Sequence, residues 1–574
     1  MPNRTQFNLA VLAVLVMQLA EPAAGATSTP VASKLTVELL SQRRPEGNVR
    51  VQVQFEDQRR GGAVKIAGGT GSLRDDGIAP DLQPQDGRFT AIVNLNVQLF
   101  NKEMQRRYAM SRQNGSIPNF DGREFKGFRP LKLPKPIELV PGVPVDITWF
   151  GGFWGVVDPE RELAIRHLAV VEDPARTWEP CTGAGTSMGA WTFGRLVTEI
   201  ANEPVTGIEP ADLVEHWLAQ WATDRTINGF TVIARPVGVQ AFIDSWPKLP
   251  DGRVDVAQAP FRLLAIVNRQ DLRSNFGYGG GGNSGEGRLV FGAVRCDLDI
   301  VNPANAMEFT VIFEYRAPGA TCVGARSWAQ QWRELNLLAL GSAAYNTALQ
   351  AITDQFTLRN TNPAQLPNFS SLNQLRTNEI DLQYGSFPAG WQLRESRLQA
   401  VGASAGLLEN GTIAQTPDDS LDDTATLADY VNFNELPILA GLHDVPLNFP
   451  AGIPFRGGAV IAATGHWEAP GILNPVARHR FGLATCNGCH TTETETQFVH
   501  VQPRRVGVSS SLSDFLTGDD MPKQDPETGT NRNFNELLDR RDKLDATANM
   551  LCVFPGDFAL DELFFEVREP ALRH

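Results

Sequence analysis

The sequence predicts a multidomain α+β protein: an N-terminal immunoglobulin-like β-sandwich, a mixed α+β middle domain and a small, mostly helical C-terminal domain. Three observations carry this. Apolar residues alternate at period two through the early chain, helix and strand periodicities mix through the middle, and the final block reads as helices around a cysteine pair. At 574 residues the chain is also too long for one ordinary core.

The first element is a leader. "MPNRTQFNLAVLAVLVMQLAEPAAGAT" has one early charge at Arg4, an apolar run from Leu9 to Val16, and Ala24-Gly25-Ala26 as a cleavage site. The apolar run is too short to span a bilayer, so residues 1–26 read as a signal peptide. No later run reaches spanning length. The expectation is an exported protein, periplasmic or extracellular, with no integral membrane segment in the mature chain.

Residues 33–173 carry "KLTVELL", "NVRVQVQFED" and "FTAIVNLNVQLF", each alternating apolar and polar residues; "PIELVPGVPVDITWF" and "RELAIRHLAVVED" continue the pattern. Short alternating strands separated by turns predict the sandwich. Between two of them, "RDDGIAPDLQPQDGRFTA" places Asp75, Asp76, Asp81 and Asp86 close together. Several carboxylates in one turn could hold calcium, which takes oxygen ligands; Asp-Gly pairs also simply make turns.

Residues 174–465 form the middle domain. "WTFGRLVTEIAN", "PADLVEHWLAQWATD", "SWAQQWRELNLL" and "YNTALQAITDQF" have helical spacing. "TVIARPV", "FRLLAIVN", "RLVFGAVRCDLDIV" and "EFTVIFEYRA" are β-branched and aromatic runs bounded by Gly, Asn and Pro, predicting an antiparallel sheet. "GYGGGGNSGEGR" leads into a strand rather than a helix, so it is a connection and not a dinucleotide loop. Gly185-Thr186-Ser187-Met188 copies the tetrapeptide around a subtilisin-like nucleophile, but the Asp and His motifs that should precede it are missing. His216, His443, His466 and His479 are scattered, and Asp418, Asp419, Asp422 and Asp423 read as an acidic turn at a helix start. No catalytic residue is assigned.

The net charge of -14 argues against a nucleic-acid binder, which needs clustered Lys and Arg. The six cysteines, Cys181, Cys296, Cys322, Cys486, Cys489 and Cys552, are too few for a disulfide-built scaffold. If Cys486 and Cys489 serve elsewhere, Cys296–Cys322 and Cys181–Cys552 are the expected bridges, since Cys296 and Cys322 flank a strand pair.

Residues 466–574 hold the chemistry. Cys486-Asn487-Gly488-Cys489-His490 is C-x-x-C-H, the pattern of c-type haem attachment. Two thiols one short turn apart reach the two vinyl groups of one porphyrin, and the adjacent imidazole then sits below the iron. Attachment outside the cytoplasm agrees with the leader. This block resembles a small cytochrome c domain: "ARHRFGLATCNGCH" is similar to that family's helix into C-x-x-C-H, "DDMPK" to its Met-Pro loop, and "FNELLDRRDKLDATANML" to its closing helix. The resemblance implies haem c on Cys486 and Cys489, with His490 as proximal iron ligand and Met521 as the sixth. "TTETETQFVHVQPRR" departs from the family's Gly- and Pro-rich loop, so His500 is the other candidate distal ligand. Arg504 and Arg505 are candidates for the propionates.

The rest of the chain resembles secreted bacterial proteins of uncharacterised activity, through "APFRLLAIVNRQDLR", "GEGRLVFGAV" and "EFTVIFEY". That likeness supplies no substrate. The expected function is an exported electron-transfer or redox protein with one covalent haem and a redox partner the sequence does not identify. The alternative is a secreted binding or structural protein whose C-x-x-C is a disulfide, or a metal site using Cys486, Cys489 and His500.

Overall fold

The computed structural model describes six strands and Gln85 between residues 32 and 147 and, with short breaks, residues 157–549. The chain divides into two compact units, the second of which holds Val156–Ala559. Residues 1–26 and the four candidate calcium ligands Asp75, Asp76, Asp81 and Asp86 lie outside the described residues.

The first unit is built on one antiparallel sheet. Its strands are β1 (Ala32–Arg43), β2 (Glu46–Phe55), β3 (Ala63–Lys65), β4 (Ser72–Arg74), β5 (Phe89–Asn96) and β6 (Pro144–Ile147), in the order β3-β4-β5-β2-β1-β6. The alternation in the sequence is aligned across the sheet: Val37 faces Val51 and Val145, and Val51 faces Ala91. An immunoglobulin-like sandwich needs a second, facing sheet. Among the described residues this unit has one sheet.

The second unit is α+β around a larger antiparallel sheet. Its strands are β7 (Ala164–Ile165), β8 (Phe261–Arg269), β9 (Glu286–Val294), β10 (Ala306–Arg316), β11 (Leu372–Glu379), β12 (Gln392–Leu398), β13 (Leu408–Gly411) and β14 (Val460–Ile461). The order is β13-β12-β11-β10-β9-β8-β7, with β14 also on β12. "RELAIRHLAVVED" is therefore not a long strand of the first unit. Two short helical turns, Pro159–Glu162 and Leu168–Val171, flank β7, which edges the second sheet.

All nine residues of β8 and all nine of β9 are buried, so both faces of the sheet are covered. On one face lie α1 (Phe193–Ala201), α2 (Pro210–Ala219) and α3 (Pro236–Ser245). Phe193 of α1 stacks on Phe261 of β8 at 4.2 Å and meets Phe313 of β10 edge-on at 5.3 Å. Trp246, just past α3, packs on both Phe193 and Phe261. Aromatic side chains bury large areas each, so this face dominates the unit's core. Further along, Trp328 of α4 (Cys322–Glu334) meets Phe356 of α5 (Ala343–Thr357), which packs on Tyr315.

Against the opposite face lie α8 (Cys486–Cys489) and the segment around Val501; α6 (Ala425–Phe433) and α7 (Pro475–Leu483) form an adjoining cluster, and α9 (Glu536–Ala548) packs on α4. Cys486 packs with Trp391, Leu393, Ile413 and Val460 of the sheet region, and Arg504 donates to the Leu263 carbonyl of β8 at 3.0 Å. Residues 157–549 thus lie in one compact unit. The sheet's second face would be exposed without α8 and the segment around Val501.

The bridges also differ from expectation. Cys181 is bonded to Cys296, with Cα atoms 4.8 Å apart. Cys296 lies at the end of β9, where the Trp178–Gly185 hairpin comes alongside, and the partner is set by the fold rather than by strand order. Cys322 opens α4, and Cys552 lies outside the described residues. Among the described residues, no helix is long and apolar enough to cross a membrane.

Candidate functional site

The C-x-x-C segment is held by a dense local design. Asn474 caps α7 through the amides of Val476 and Ala477, and Pro475 takes the first helical position. One turn later Thr485 caps α8. Its hydroxyl donates to the Gly482 carbonyl and accepts from the Trp467 indole, both at 2.7 Å, and from the Gly488 amide at 3.2 Å. A Cβ on Gly488 would lie 2.1 Å from the Gly482 carbonyl oxygen, so only glycine fits there. Behind the turn, Asp419 accepts from the Asn487 side chain at 2.9 Å and from the Ile461 amide at 2.7 Å. Burial pushes its carboxyl up to about 8, although both hydrogen bonds oppose the shift.

A second clamp sits at the base of α7. His479 Nδ1 lies 2.7 Å from Glu493, and Arg478 pairs with both Glu493 and Asp525. Burial works against the charged form of Asp525, yet Arg478 and the bond from Arg532 hold its pKa down to about 2. His479, Glu493 and Asp525 present metal-type ligand atoms within 4.8 Å of one another. Their carboxylates are already neutralised by two guanidiniums, which makes the cluster a structural tether. His466, Glu468 and Glu527 form a similar but more exposed group.

In front of α8 lies a small cavity of about 80 Å³, below the usual size of a cofactor pocket. Cys486, His490 and His500 are on its wall. His490 stacks on Trp391 at 5.1 Å, and its ring lies 4.3 Å from that of His500. His500 Nδ1 is 2.8 Å from the Ser513 hydroxyl, and its Nε2 is 3.3 Å from Cys489 Sγ. Cys486 and Cys489 are both fully buried and unbonded to each other. Burial pushes the Cys486 thiol up to about 11, against the pull of Arg376, and raises Cys489 as well. Neither is a ready thiolate nucleophile.

The floor of the cavity is one face of the sheet. Val267, Arg288, Val290, Ile312, Glu314 and Arg376 alternate along β8 to β11 and point to this side. The charges are direct cross-strand neighbours: Arg288 opposes Glu314, and Arg376 opposes Glu395. Arg376 binds Glu395 at 2.9 Å, and Arg288 binds Glu286 at 2.6 Å. Arg269 and Arg540 complete the basic wall.

The structure therefore brings Cys486, Cys489, His490 and His500 into one place. Met521 is 70% exposed and is not on the cavity wall. Arg504 is buried but committed to Glu172 and the Leu263 carbonyl, so the basic groups at the cavity are four other arginines. His216 pairs with Glu409 at 2.9 Å, away from the cavity. In the acidic turn, the α6 cap is Thr424, while Asp419 braces the C-x-x-C turn. Among the described residues, Cys486, Cys489, His490 and His500 do not gather three ligand atoms around one point, as a small metal ion requires.

Trp391, Ser513 and the four floor arginines were not singled out from the sequence. The available signal was the charged and polar residues within "GRLVF", "LNQLRTNE" and "QLRESRL", which lie in almost wholly buried strands. Cys486 and His490 of the C-x-x-C-H turn and His500 line this cavity, donor types that haem uses, but a cavity of about 80 Å³ would have to widen to admit a porphyrin. No family model, curated protein or solved structure matches the chain.

Proposed function

We propose that this chain is an exported redox protein carrying one covalently attached c-type haem. The observation that supports the reading is the convergence of Cys486, His490 and His500 of the C-x-x-C-H region on one buried cavity. Bound there, haem supplies one-electron chemistry. The chain's own part is to anchor and to shield. Cys486 and Cys489 supply the thioether sulfurs, and His490, steadied against Trp391, supplies the proximal nitrogen. His500, whose Nδ1 meets Ser513 and whose Nε2 meets Cys489 Sγ, would have to turn from that sulfur to serve as a second ligand. Val267, Val290 and Ile312 on the cavity wall would shield a bound haem from water. Export is supported by the leader pattern and by the Cys181–Cys296 bridge, which persists in oxidising compartments.

The test is a haem-stained denaturing gel of full-length protein made with haem-maturation machinery, alongside Cys489→Ser. Stain that survives denaturation in the parent and is lost or sharply reduced in the variant is expected. A colourless parent overturns the reading and leaves a secreted binding or structural protein. Equal staining in both overturns the attachment claim.

A further inference from the structure

We propose that His466, Glu468 and Glu527 form a site for a divalent first-row transition ion, with zinc the best match. The three present one imidazole nitrogen and two carboxylate oxygens, all within 4.8 Å of one another. His466 Nε2 lies 2.6 Å from a Glu527 oxygen and 3.7 Å from a Glu468 oxygen. None of the three lines the cavity beside the C-x-x-C-H turn, so the site is independent of the haem reading.

The backbone holds the donors in place. Between His466 and Glu468, Trp467 is fully buried; its indole donates to Thr485 at 2.7 Å and its carbonyl accepts from Arg478 at 3.1 Å. With Trp467 anchored inward, the side chains before and after it reach outward together. The Glu468 amide donates to Asp422 at 2.9 Å, and its carbonyl accepts from the Asp423 amide at 2.8 Å. Glu527 arrives from a different segment, the turn joining Lys523–Gln524 to Asn531–Arg532. There Asp525 accepts from the Glu527 and Thr528 amides, both at 3.1 Å. Two braced segments 61 residues apart thus deliver their donors to one point.

The charge balance separates this group from its neighbour. His479, Glu493 and Asp525 are neutralised by Arg478 and Arg532. Among the described residues neither Glu468 nor Glu527 pairs with a Lys or Arg, and His466 is their one ion-pair partner. Two carboxylates this close repel unless a proton or a cation lies between them. The contact with Glu527 accordingly holds the Glu468 carboxyl above its ordinary value. A dication neutralises both at once. The imidazole selects zinc and its neighbours over calcium and magnesium, which take oxygen ligands. Ligand atoms around tetrahedral zinc stand about 3.3 Å apart, so small rotations of these partly exposed side chains complete the geometry, and water can take the fourth position.

The experiment titrates chelator-treated full-length protein with zinc and, separately, with magnesium, followed by calorimetry. Zinc is expected to bind with micromolar or tighter affinity and to raise the melting midpoint, because it binds the folded arrangement. Magnesium should bind at least about a hundredfold more weakly. Glu527→Gln keeps a hydrogen-bonding partner for His466 but removes the charge, and it should weaken zinc at least about tenfold; His466→Gln, on the other segment, should do the same. Zinc also has an affinity for thiols, so the double variant Cys486→Ser and Cys489→Ser is titrated in parallel and should bind zinc as the parent does. No binding by the parent, parent-like binding by both site variants, or loss of zinc in the double-serine variant would each overturn the site. Magnesium bound as tightly as zinc would overturn the assignment to a transition ion.

Discussion

Gly488 shows how little room the C-x-x-C turn has. Its α-carbon faces the Gly482 carbonyl, where an added methyl would meet backbone at 2.1 Å. Backbone on both sides cannot step aside as a flexible side chain would. Gly488→Ala is expected to destabilise the protein by about 2 kcal/mol, the scale of overpacking in a tight core. It should also lower the yield of haem-loaded protein, because His490 and Cys489 follow directly. A urea midpoint unchanged from the parent would contradict this account. A second residue-level prediction separates the two distal candidates. His500 is on the cavity wall and Met521 is an exposed side chain away from it. His500→Phe should change the visible and electron paramagnetic resonance spectra of the haem-loaded protein, whereas Met521→Leu should leave both unchanged. The reverse pattern would move the distal ligand to Met521 and require a rearrangement of the described C-terminal region.

At the scale of elements, the bond between Cys181 and Cys296 pins the hairpin before α1 to the end of β9 across 115 residues. A long closed loop restricts the unfolded chain most, so replacing both cysteines by serine should cost about 2–5 kcal/mol. The parent's melting midpoint should fall to that of the double-serine variant when a reductant is added; a parent indifferent to reductant would show that the bridge is not formed in solution. The elements also show what sequence periodicity can and cannot convey. β8, β9 and β10 are legible because their residues are β-branched and aromatic, and α1, α2, α4 and α5 because apolar residues fall three and four apart. β11 and β12 are not, because "LNQLRTNE" and "QLRESRL" are mostly polar and charged at both phases of the strand. Such composition normally marks exposed chain. Here Arg376 and Glu395 are buried and bound to each other, so a polar pattern lies inside. The same cause hid the C-terminal lid. Its size suits a separate domain, and nothing in its spacing says that a charged sheet face needs covering. The C-x-x-C-H turn was legible because its chemistry is local; Trp391, Ser513 and the arginines reach it only through tertiary packing.

Across the whole molecule, buried carboxyls set the pH range in which the fold is most stable. Burial raises Glu162, Glu379 and Glu536 to about 7 and Asp419 to about 8, in each case against neighbouring cations or hydrogen bonds. In the unfolded chain these groups titrate near ordinary carboxyl values. Between about pH 4 and 8 the folded protein therefore holds more protons than the unfolded one, and stability must fall as pH rises through that window. On the acid side the sign reverses. Asp525 is held at about 2 by Arg478 and Arg532, and Glu395 is lowered by Arg397 and Arg376 in spite of its burial. The stability these two contribute is present above the ordinary carboxyl pKa and is lost as pH drops below it. The two trends meet near the ordinary carboxyl pKa, about pH 4, where calorimetric melting should peak. By pH 8 the midpoint should be lower by several degrees, since each fully shifted group is worth up to about 3 kcal/mol. Asp419→Asn isolates one contributor. The amide oxygen can still accept from the Ile461 amide and the Asn487 side chain, and it cannot ionise. The variant should match the parent at about pH 4 and melt higher at pH 8. If it melts lower than the parent at both values, Asp419 is charged in the fold and the C-x-x-C turn is braced by an ion rather than by a neutral acid.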